Sequence, residues 1–374
     1  MKYYIIAGEA SGDLHGSNLI KSLKATDQNA DIRCWGGDLM QLAGGTLVKH
    51  YKEMAFMGFI EVIQNLFTIF RNIKFCKQDI AKYQPDALIF IDYSGFNLRI
   101  AKWAKTQNIY TNYYISPQIW ASREGRISKI KRDIDAMYVI LPFETAFYAK
   151  HNFPVEFVGH PLIDAIENRS EVSPPNFRSM HLLSSEKPII ALLPGSRQQE
   201  VQKMLSIMTS IVSSFPNYEF VIAGAPSLEK EFYQPFLKNS NIKFISNQTY
   251  DLLSASHAAL VTSGTATLET ALFKVPQVVC YKASWLSYHI AKRIITLDYI
   301  SLVNLIMKKE IVKELIQDDL NSENLRSELK KIVSGTFRET QMMAYDDLEQ
   351  KLGGQGASTK TASSIFKNLK TKTQ

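Results

Sequence analysis

The fold that this sequence predicts is α/β, with two doubly wound parallel-sheet (Rossmann-like) domains facing across a cleft. Three observations carry that expectation. Apolar runs of strand length alternate with helix-like patterns through both halves of the chain. The runs are continuous rather than alternating, as in strands covered on both faces. Several of them end in small-residue turns that open the next helix, which is how a parallel sheet presents a ligand site. At 374 residues the chain is long enough for two hydrophobic cores.

Tyr3 to Ala7 reads as a buried first strand, and Gly8-Glu9-Ala10-Ser11-Gly12-Asp13 as the loop before a helix from about Leu14 to Lys24. The glycines at 8, 12 and 16 match no dinucleotide fingerprint, and a tight turn capped by Ser11 or Asp13 is the plainest reading of that loop. Ile32 to Trp35 is a short strand ending in Gly36-Gly37. From Met57 to Phe75 the chain is unusually apolar and aromatic: Phe59, Ile63, Leu66, Phe70 and Ile73 fall on one helical stripe, while Ile60, Val62, Phe67 and Ile69 widen it. Glu61, Arg71 and Lys74 forbid a transmembrane role. Either this is a buried core helix, or it lies in a membrane interface or lines a groove for acyl chains.

Ala87 to Ile91 is the next buried strand, and Asp92 ends it. An acid in that position is placed to be a general base, although it could equally cap the helix that follows from about Leu98. Tyr110 to Ile115, Ala136 to Leu141 and Val155 to Val158 are further strands, and a basic helix carries Arg123, Arg126, Lys129, Lys131 and Arg132. Such a run is a solvated face or a contact for anionic lipid. Asp133-Ile134-Asp135 has a metal-binding look but stands at the entry of a strand, away from the expected active edge. His160 follows Gly159 without any metal-ligand spacing among the seven histidines, which makes it a crevice or structural residue.

We divide the chain into a first domain over residues 1–165, a breaker-rich linker over 166–187 containing Ser173-Pro174-Pro175, a second domain over 188–350, and a helical tail over 351–374 that is able to pack back on the first domain. The second domain alternates again, with strands at Ile189 to Leu193, Glu219 to Ala223, Ile242 to Ile245, Ala258 to Val261 and Gln277 to Cys280, followed by Trp285 to Ile295 and a turn from Tyr299 to Asn304. Its first strand meets Pro194-Gly195 and a helix then begins. Gly195, Ser196 and Arg197 therefore stand at a helix N-terminus, where free N–H groups and the helix dipole attract an anion and Arg197 adds a charge-assisted contact. An ordinary strand-to-helix turn has the same grammar. The grammar recurs at Ser263-Gly264-Thr265, before a helix carrying Glu269. Two such turns in one domain suggest a single ligand held between them, with Arg197 on a diphosphate and Glu269 accepting from sugar hydroxyls.

Composition narrows the class. A formal charge of +7 favours anionic partners, whether nucleic acid, lipid headgroups or phosphorylated substrates. Three widely spaced cysteines argue against a disulfide framework or zinc knuckle and for a reducing compartment. The first residues lack a secretory pattern, and no apolar run approaches the roughly 20 residues that span a bilayer, so a cytoplasmic location is expected.

One ordered set of motifs goes further. Gly8-Glu9-Ala10-Ser11-Gly12-Asp13, Met57 to Val62, Ile91-Asp92 with Phe96-Asn97, Ser116-Pro117 with Trp120, Leu141-Pro142-Phe143-Glu144, Val158 to Leu162, Leu193 to Arg197 with Glu200-Val201, and Ser263 to Glu269 resemble, in this order, the motifs of the lipid-A-disaccharide synthases. The likeness covers nearly the whole chain. It implies the B-type glycosyltransferase layout and an inverting condensation of UDP-2,3-diacylglucosamine with 2,3-diacylglucosamine 1-phosphate, giving the β-1,6-linked lipid A disaccharide 1-phosphate and UDP. No metal, no cofactor and no nucleic acid are implied. The enzyme would sit peripherally on the anionic cytoplasmic face of a Gram-negative inner membrane, as a monomer or an oligomer.

By the same resemblance, Asp92 is the base and Arg197 the diphosphate contact. Gly195, Ser196, Ser263, Gly264, Thr265, Glu269 and Asn304 bind the donor. Gly8, Glu9, Ser11, Gly12, Asp13, Glu61 and Asn97 form the acceptor loop region, and Phe59, Ile63, Leu66 and Phe70 meet membrane or acyl chains. Val303 stands where the family usually has Pro, which frees a φ in the loop carrying Asn304, and Gly95 stands where some members have a second acid. The residues themselves leave rivals standing: a UDP-N-acetylglucosamine 2-epimerase, a glycosyltransferase with another acceptor, a non-catalytic nucleotide-sugar or lipid-binding module, and a dinucleotide oxidoreductase that lacks its glycine fingerprint.

Overall fold

The computed structural model describes residues 1–53, 66–122, 124–237, 241–283 and 298–373. The chain forms two compact units, Met1–Asn168 with Leu352–Gln374, and Arg169–Lys351.

In the first unit, β1 (Lys2–Ala7), β2 (Asp31–Gly36), β3 (Thr46–His50), β4 (Ala87–Ile91), β5 (Tyr110–Tyr114), β6 (Ala136–Val139) and β7 (Glu156–Phe157) form one parallel sheet in the order β3-β2-β1-β4-β5-β6-β7. Both faces are covered, so alternate residues of a single strand enter different cores. Tyr4 and Ile6 pack with Trp35, Cys76 and Ile80, whereas Tyr3, Ile5 and Ala7 pack with Leu19, Ile20 and, from the C-terminal helix Ala357–Thr373, Ala362 and Ile365. That tail helix is anchored by Asp164, whose carboxylate accepts from the N–H groups of Gly356 at 2.7 Å and Ser358 at 2.9 Å.

The second unit holds β8 (Ile189–Leu193), β9 (Glu219–Gly224), β10 (Ile242–Ser246), β11 (Ser256–Thr262), β12 (Gln277–Tyr281) and β13 (Lys313–Ile316), parallel and in the order β10-β9-β8-β11-β12-β13. Ile190 and Leu192 of β8 face Val201, Met204 and Leu205, while Ile189, Ala191 and Leu193 face Phe177, Leu252 and Leu253. This two-sided burial explains the continuous apolar runs.

Several expectations change. The first helix spans Ala10–Thr26, so Ser11, Gly12 and Asp13 belong to its first turn rather than to a loop. The edge strands β3 and β13 escape the hydropathy pattern because Lys49, His50, Lys313 and Glu314 interrupt it. The stretch read as a linker carries a helix, Pro174–Met180, whose Phe177 is fully buried in the second unit. Phe59, Glu61 and Ile63 lie outside the described residues, as does the stretch from Trp285 to Ile295, and Leu66 is described only as the first residue of the helix Leu66–Tyr83. Within that helix the expected stripe does not hold together. Ile73 is 8% exposed and packs with Cys76 and Ile80, but Phe70 is 59% and Phe67 90% exposed. Asp79 shares the buried face, taking a bidentate contact from Arg33 and a hydrogen bond from the Tyr4 hydroxyl. Among the described residues no helix is long and apolar enough to cross a membrane.

Candidate active site

Each sheet reverses its strand order once, between β8 and β11 in the second unit and between β1 and β4 in the first. Loops leaving the carboxyl ends of two such strands diverge to opposite faces and leave a crevice between them.

In the second unit that crevice is a cavity of about 270 Å³, lined by Pro194, Gly195 and Ser196 after β8, by Ser263, Gly264 and Thr265 after β11, and by Glu200 and Glu269. Gly195 has φ 101°, a conformation costly for any other residue, and a Cβ there would run into the Glu200 carboxylate. The helix Gln198–Ser210 starts beyond it with Arg197 as N-cap residue. Its anion seat is taken internally, since the Ser196 N–H donates to Glu200 Oε2 at 3.3 Å. Arg197 is exposed and stands outside the residues that line the cavity. Glu269 accepts from the Tyr250 hydroxyl at 2.8 Å, and burial pushes its carboxyl above the usual range. The buried Thr262 hydroxyl also lines the cavity and has no hydrogen-bond partner among the described residues. Ser263 is spent otherwise, its hydroxyl donating to the Ile300 carbonyl at 3.0 Å.

In the first unit the corresponding loops bring carboxylates together. Asp92 has φ 42° and Tyr93 φ 45°, two consecutive non-glycine residues in the left-handed region, each a local strain that the surroundings must hold. They do so through the Asp92 carbonyl, which accepts from the Tyr113 hydroxyl at 2.6 Å and from Asn97 Nδ2 at 2.8 Å. Gly8 lies against the Tyr93 ring, leaving no room for a Cβ. One side of Asp92 reaches solvent, but the atoms packed around the rest of it and the nearby Glu9 carboxylate push its pKa up to about 6, against the pull of the Tyr93 N–H. Asp92 lines a second cavity with Ser94, Pro117, Gln118 and Arg126.

The comparisons with known proteins place this geometry in a family. A sequence model described as lipid-A-disaccharide synthetase matches residues 3–367. The chain belongs to that family. A lipid-A-disaccharide synthase of Coxiella burnetii is 37% identical over 377 residues, covering 98% of this chain and 97% of the relative. Similar solved structures share the fold at much lower identity: a UDP-N-acetylglucosamine 2-epimerase described as putative, from Listeria monocytogenes, has TM-score 0.69 at 14% identity over 99% of this chain and 96% of that one. The UDP-GlcNAc 2-epimerase of Neisseria meningitidis, solved with UDP-GlcNAc, has TM-score 0.65 at 13% identity over the whole of both chains.

In this member of the synthetase family, other residues named from the sequence have structural partners. Asn304 is fully buried, with Nδ2 donating to the Val312 carbonyl at 2.9 Å and Glu314 Oε1 at 2.8 Å, and Oδ1 accepting from the N–H groups of Ile311 at 2.7 Å and Val312 at 3.0 Å. Its side-chain amide thus serves as a latch between the helix Leu302–Met307 and the residues before β13. Glu314 completes that latch by accepting from the N–H groups of Ile300 and Ser301 and the Ser301 hydroxyl, which fixes the start of the helix Leu302–Met307; Val303 and Asn304, expected in a loop, lie in the first turn of that helix. The Asp13 carboxylate accepts from the N–H groups of Gly37, Leu39 and Met40 and so caps the helix Asp38–Leu42 rather than its own turn. Ser11 is exposed and Gly12 buried in the first turn of their helix, and Asn97 is fully buried behind Asp92. His160 is the N-cap of the helix Pro161–Glu167, accepting from Leu162 N–H, and burial with the neighbouring His15 lowers its pKa to about 3. Asp133 pairs with Arg132 and Asp135 with Lys105. Glu144, unremarked by sequence reasoning beyond its motif, is buried and ties the segment after β5 to the loop after β6 by accepting from the Ser116 hydroxyl, Trp120 Nε1 and the N–H groups of Ile140 and Leu141.

Proposed function

We propose that this chain transfers 2,3-diacylglucosamine from its UDP donor to the 6-hydroxyl of 2,3-diacylglucosamine 1-phosphate, with inversion at the anomeric carbon and release of UDP. The observation that carries this reading is Asp92. A carboxylate held in a strained turn at a strand's carboxyl end, with its pKa raised to about 6, is deprotonated at neutral pH yet more basic than an ordinary aspartate. It takes the proton of the attacking hydroxyl. The charge that grows on the leaving UDP is met by Arg197 and by the N–H groups of Gly195 and Ser196, while Glu269 accepts from hydroxyls of the nucleotide sugar. Glu200 must give up its bond to Ser196 when a diphosphate arrives, since two anions cannot share one amide.

The membrane side of the reading rests on the helix Leu66–Tyr83. Its exposed residues include Phe67, Phe70 and Phe75 together with Arg71 and Lys74. Aromatic rings that enter an interface beside cations that meet headgroups suit a peripheral contact with anionic lipid. The protein is expected to sediment with anionic vesicles at low salt and to be released as salt rises; binding that ignores salt would put the aromatic insertion first.

The deciding experiment supplies defined acylated donor and acceptor in mixed micelles and follows UDP. Release that depends on the lipid acceptor is the expected result. Turnover of UDP-N-acetylglucosamine without acceptor would assign the site to an epimerase, and UDP binding without turnover to a binding module.

A further inference from the structure

The segment that follows β5 is strained, tethered and set beside the candidate base. The chain leaves β5 through Ile115 at φ 65°, a left-handed conformation that a β-branched residue adopts only under constraint. Ser116 and Trp120 then reach one carboxylate. The Ser116 hydroxyl donates to Glu144 Oε1 at 2.5 Å and Trp120 Nε1 to the same oxygen at 3.3 Å, while the other oxygen accepts from the N–H groups of Leu141 at 2.9 Å and Ile140 at 3.2 Å. The Trp120 ring also packs edge-on against Phe143, with centroids 4.9 Å apart.

Glu144 is 1% exposed, and burial pushes its carboxyl above the usual range against the pull of these four donors, none of them a cation. The turn after β6 occupies one carboxylate oxygen and the segment after β5 the other. A neutral amide here would keep the first pair of contacts with its oxygen but turn N–H donors on the Trp120 N–H. What the second oxygen holds is a wall of the site. Pro117, Gln118, Ile119, Ala121 and Ser122 line the Asp92 cavity, of about 340 Å³. Gln118 is exposed there, and its side-chain amide carries both a donor and an acceptor, as a sugar hydroxyl does.

From this arrangement we infer that Gln118 is a contact of the acceptor sugar beside Asp92, and that Glu144 is the positioning residue that holds it there by fixing both ends of the segment 116–120. The inference rests on the glycosyl-transfer reading and assigns the acceptor side of that same site. A hydroxyl attacks productively only when it is held close to its base and in the attacking direction, so a wall that is free to move lowers turnover without altering the base.

Gln118→Ala, the double variant Ser116→Ala/Trp120→Phe and Glu144→Gln are compared with the unaltered protein in mixed micelles of defined donor and acceptor. Gln118→Ala should raise acceptor KM about fivefold, as loss of one hydrogen bond implies, and leave donor KM unchanged. The double variant frees the segment but leaves the N–H groups of Ile140 and Leu141 on Glu144; it should lower kcat by about ten- to a hundredfold, again with donor KM unchanged. Glu144→Gln should behave as the double variant does. A kcat loss matched by loss of folded protein in calorimetry, or an equal rise in both KM values, reduces Glu144 to a structural residue and overturns the assignment, as do unaltered kinetics in the double variant. If Glu144→Gln does not fold, Gln118→Ala, altered at an exposed side chain, still decides, since an unchanged acceptor KM removes the contact. If the unaltered protein releases no UDP, glycosyl transfer fails, and equilibrium binding of diacylglucosamine 1-phosphate in micelles judges the wall by itself. Weaker binding by Gln118→Ala supports it, and equal binding removes it.

Discussion

At the switch point of the second unit the loops after β8 and β11 line a cavity with the small residues Gly195, Ser196, Ser263, Gly264 and Thr265, whereas at that of the first the loops after β1 and β4 bring the carboxylates of Glu9 and Asp92 into electrostatic contact. The strand orders correspond, so topology determines where each crevice opens and the loop residues determine its charge. One turn obtains its left-handed backbone from Gly195, at φ 101°, and directs its Ser196 N–H at a carboxylate, that of Glu200. The other forces Asp92 and Tyr93 into the same region and retains them with Tyr113 and Asn97, holding a carboxylate in an environment that disfavours its charge. An anion seat tolerates glycine because backbone does the binding; a base must keep a side chain and hold the strain that comes with it.

That contrast breaks first at Asp92. Asp92→Asn should lower turnover by about 10²–10⁴, the usual contribution of a general base, while UDP affinity stays the same by equilibrium binding. Stability should move the other way. A folded pKa raised above the unfolded one contributes stability that is fully present below the unfolded value and lost as pH rises through about 6, so at neutral pH the charged carboxylate is a burden. The variant should therefore melt no lower than the unaltered protein, and a clear drop in Tm would make Asp92 a structural cap. Arg197→Ala should cost about a hundredfold in turnover, as removal of one donor to a developing anion commonly does. A negligible loss in steady-state kinetics would mean that the amides and Thr262 carry the diphosphate without it.

Most of this architecture was legible from residue order, because strands covered on both faces print continuous apolar runs and because Gly195 and Gly264 punctuate strand ends. The edge strands β3 and β13 were not, since they carry Lys49, His50, Lys313 and Glu314, whereas the edges β7 and β10 were. Asp92 was legible as a polar residue at the end of an apolar run, with its role left between base and cap. Asp13 and Asn304 share one ambiguity: a short polar side chain near a turn gives the same sequence signal whether it faces a ligand or satisfies buried amides, and the structure adds the N–H groups that each accepts from. Glu314 and Glu144 went unremarked because the N–H groups they accept from belong to turns that leave no trace in a periodicity search. The buried face of the helix Leu66–Tyr83 was blurred by Phe67 and Phe70, which face outward.

The latch at Asn304 gives a smaller test of that lesson. Asn304→Ala leaves the N–H groups of Ile311 and Val312 without their acceptor inside a closed loop, and each such orphan costs about 1–3 kcal/mol. The expected outcome is a lowered Tm with donor KM little changed in the folded fraction. The reverse pattern would return Asn304 to the ligand.

The mildest change sharpens the comparison most, because it leaves every hydrogen bond of the base in place. Since Asp92 acts only when deprotonated, kcat/KM should fall as pH drops through about 6. Glu9→Gln removes the nearby like charge while burial continues to raise the pKa, so the acid limb should shift to lower pH without reaching the position of an exposed aspartate. Activity at pH 8, where the base is already ionised in both proteins, should change little. If the limb stays where it was, Glu9 does not set the basicity of Asp92. If activity collapses at every pH, Glu9 touches the substrate, and the first unit's switch point uses both its carboxylates for chemistry rather than one to tune the other.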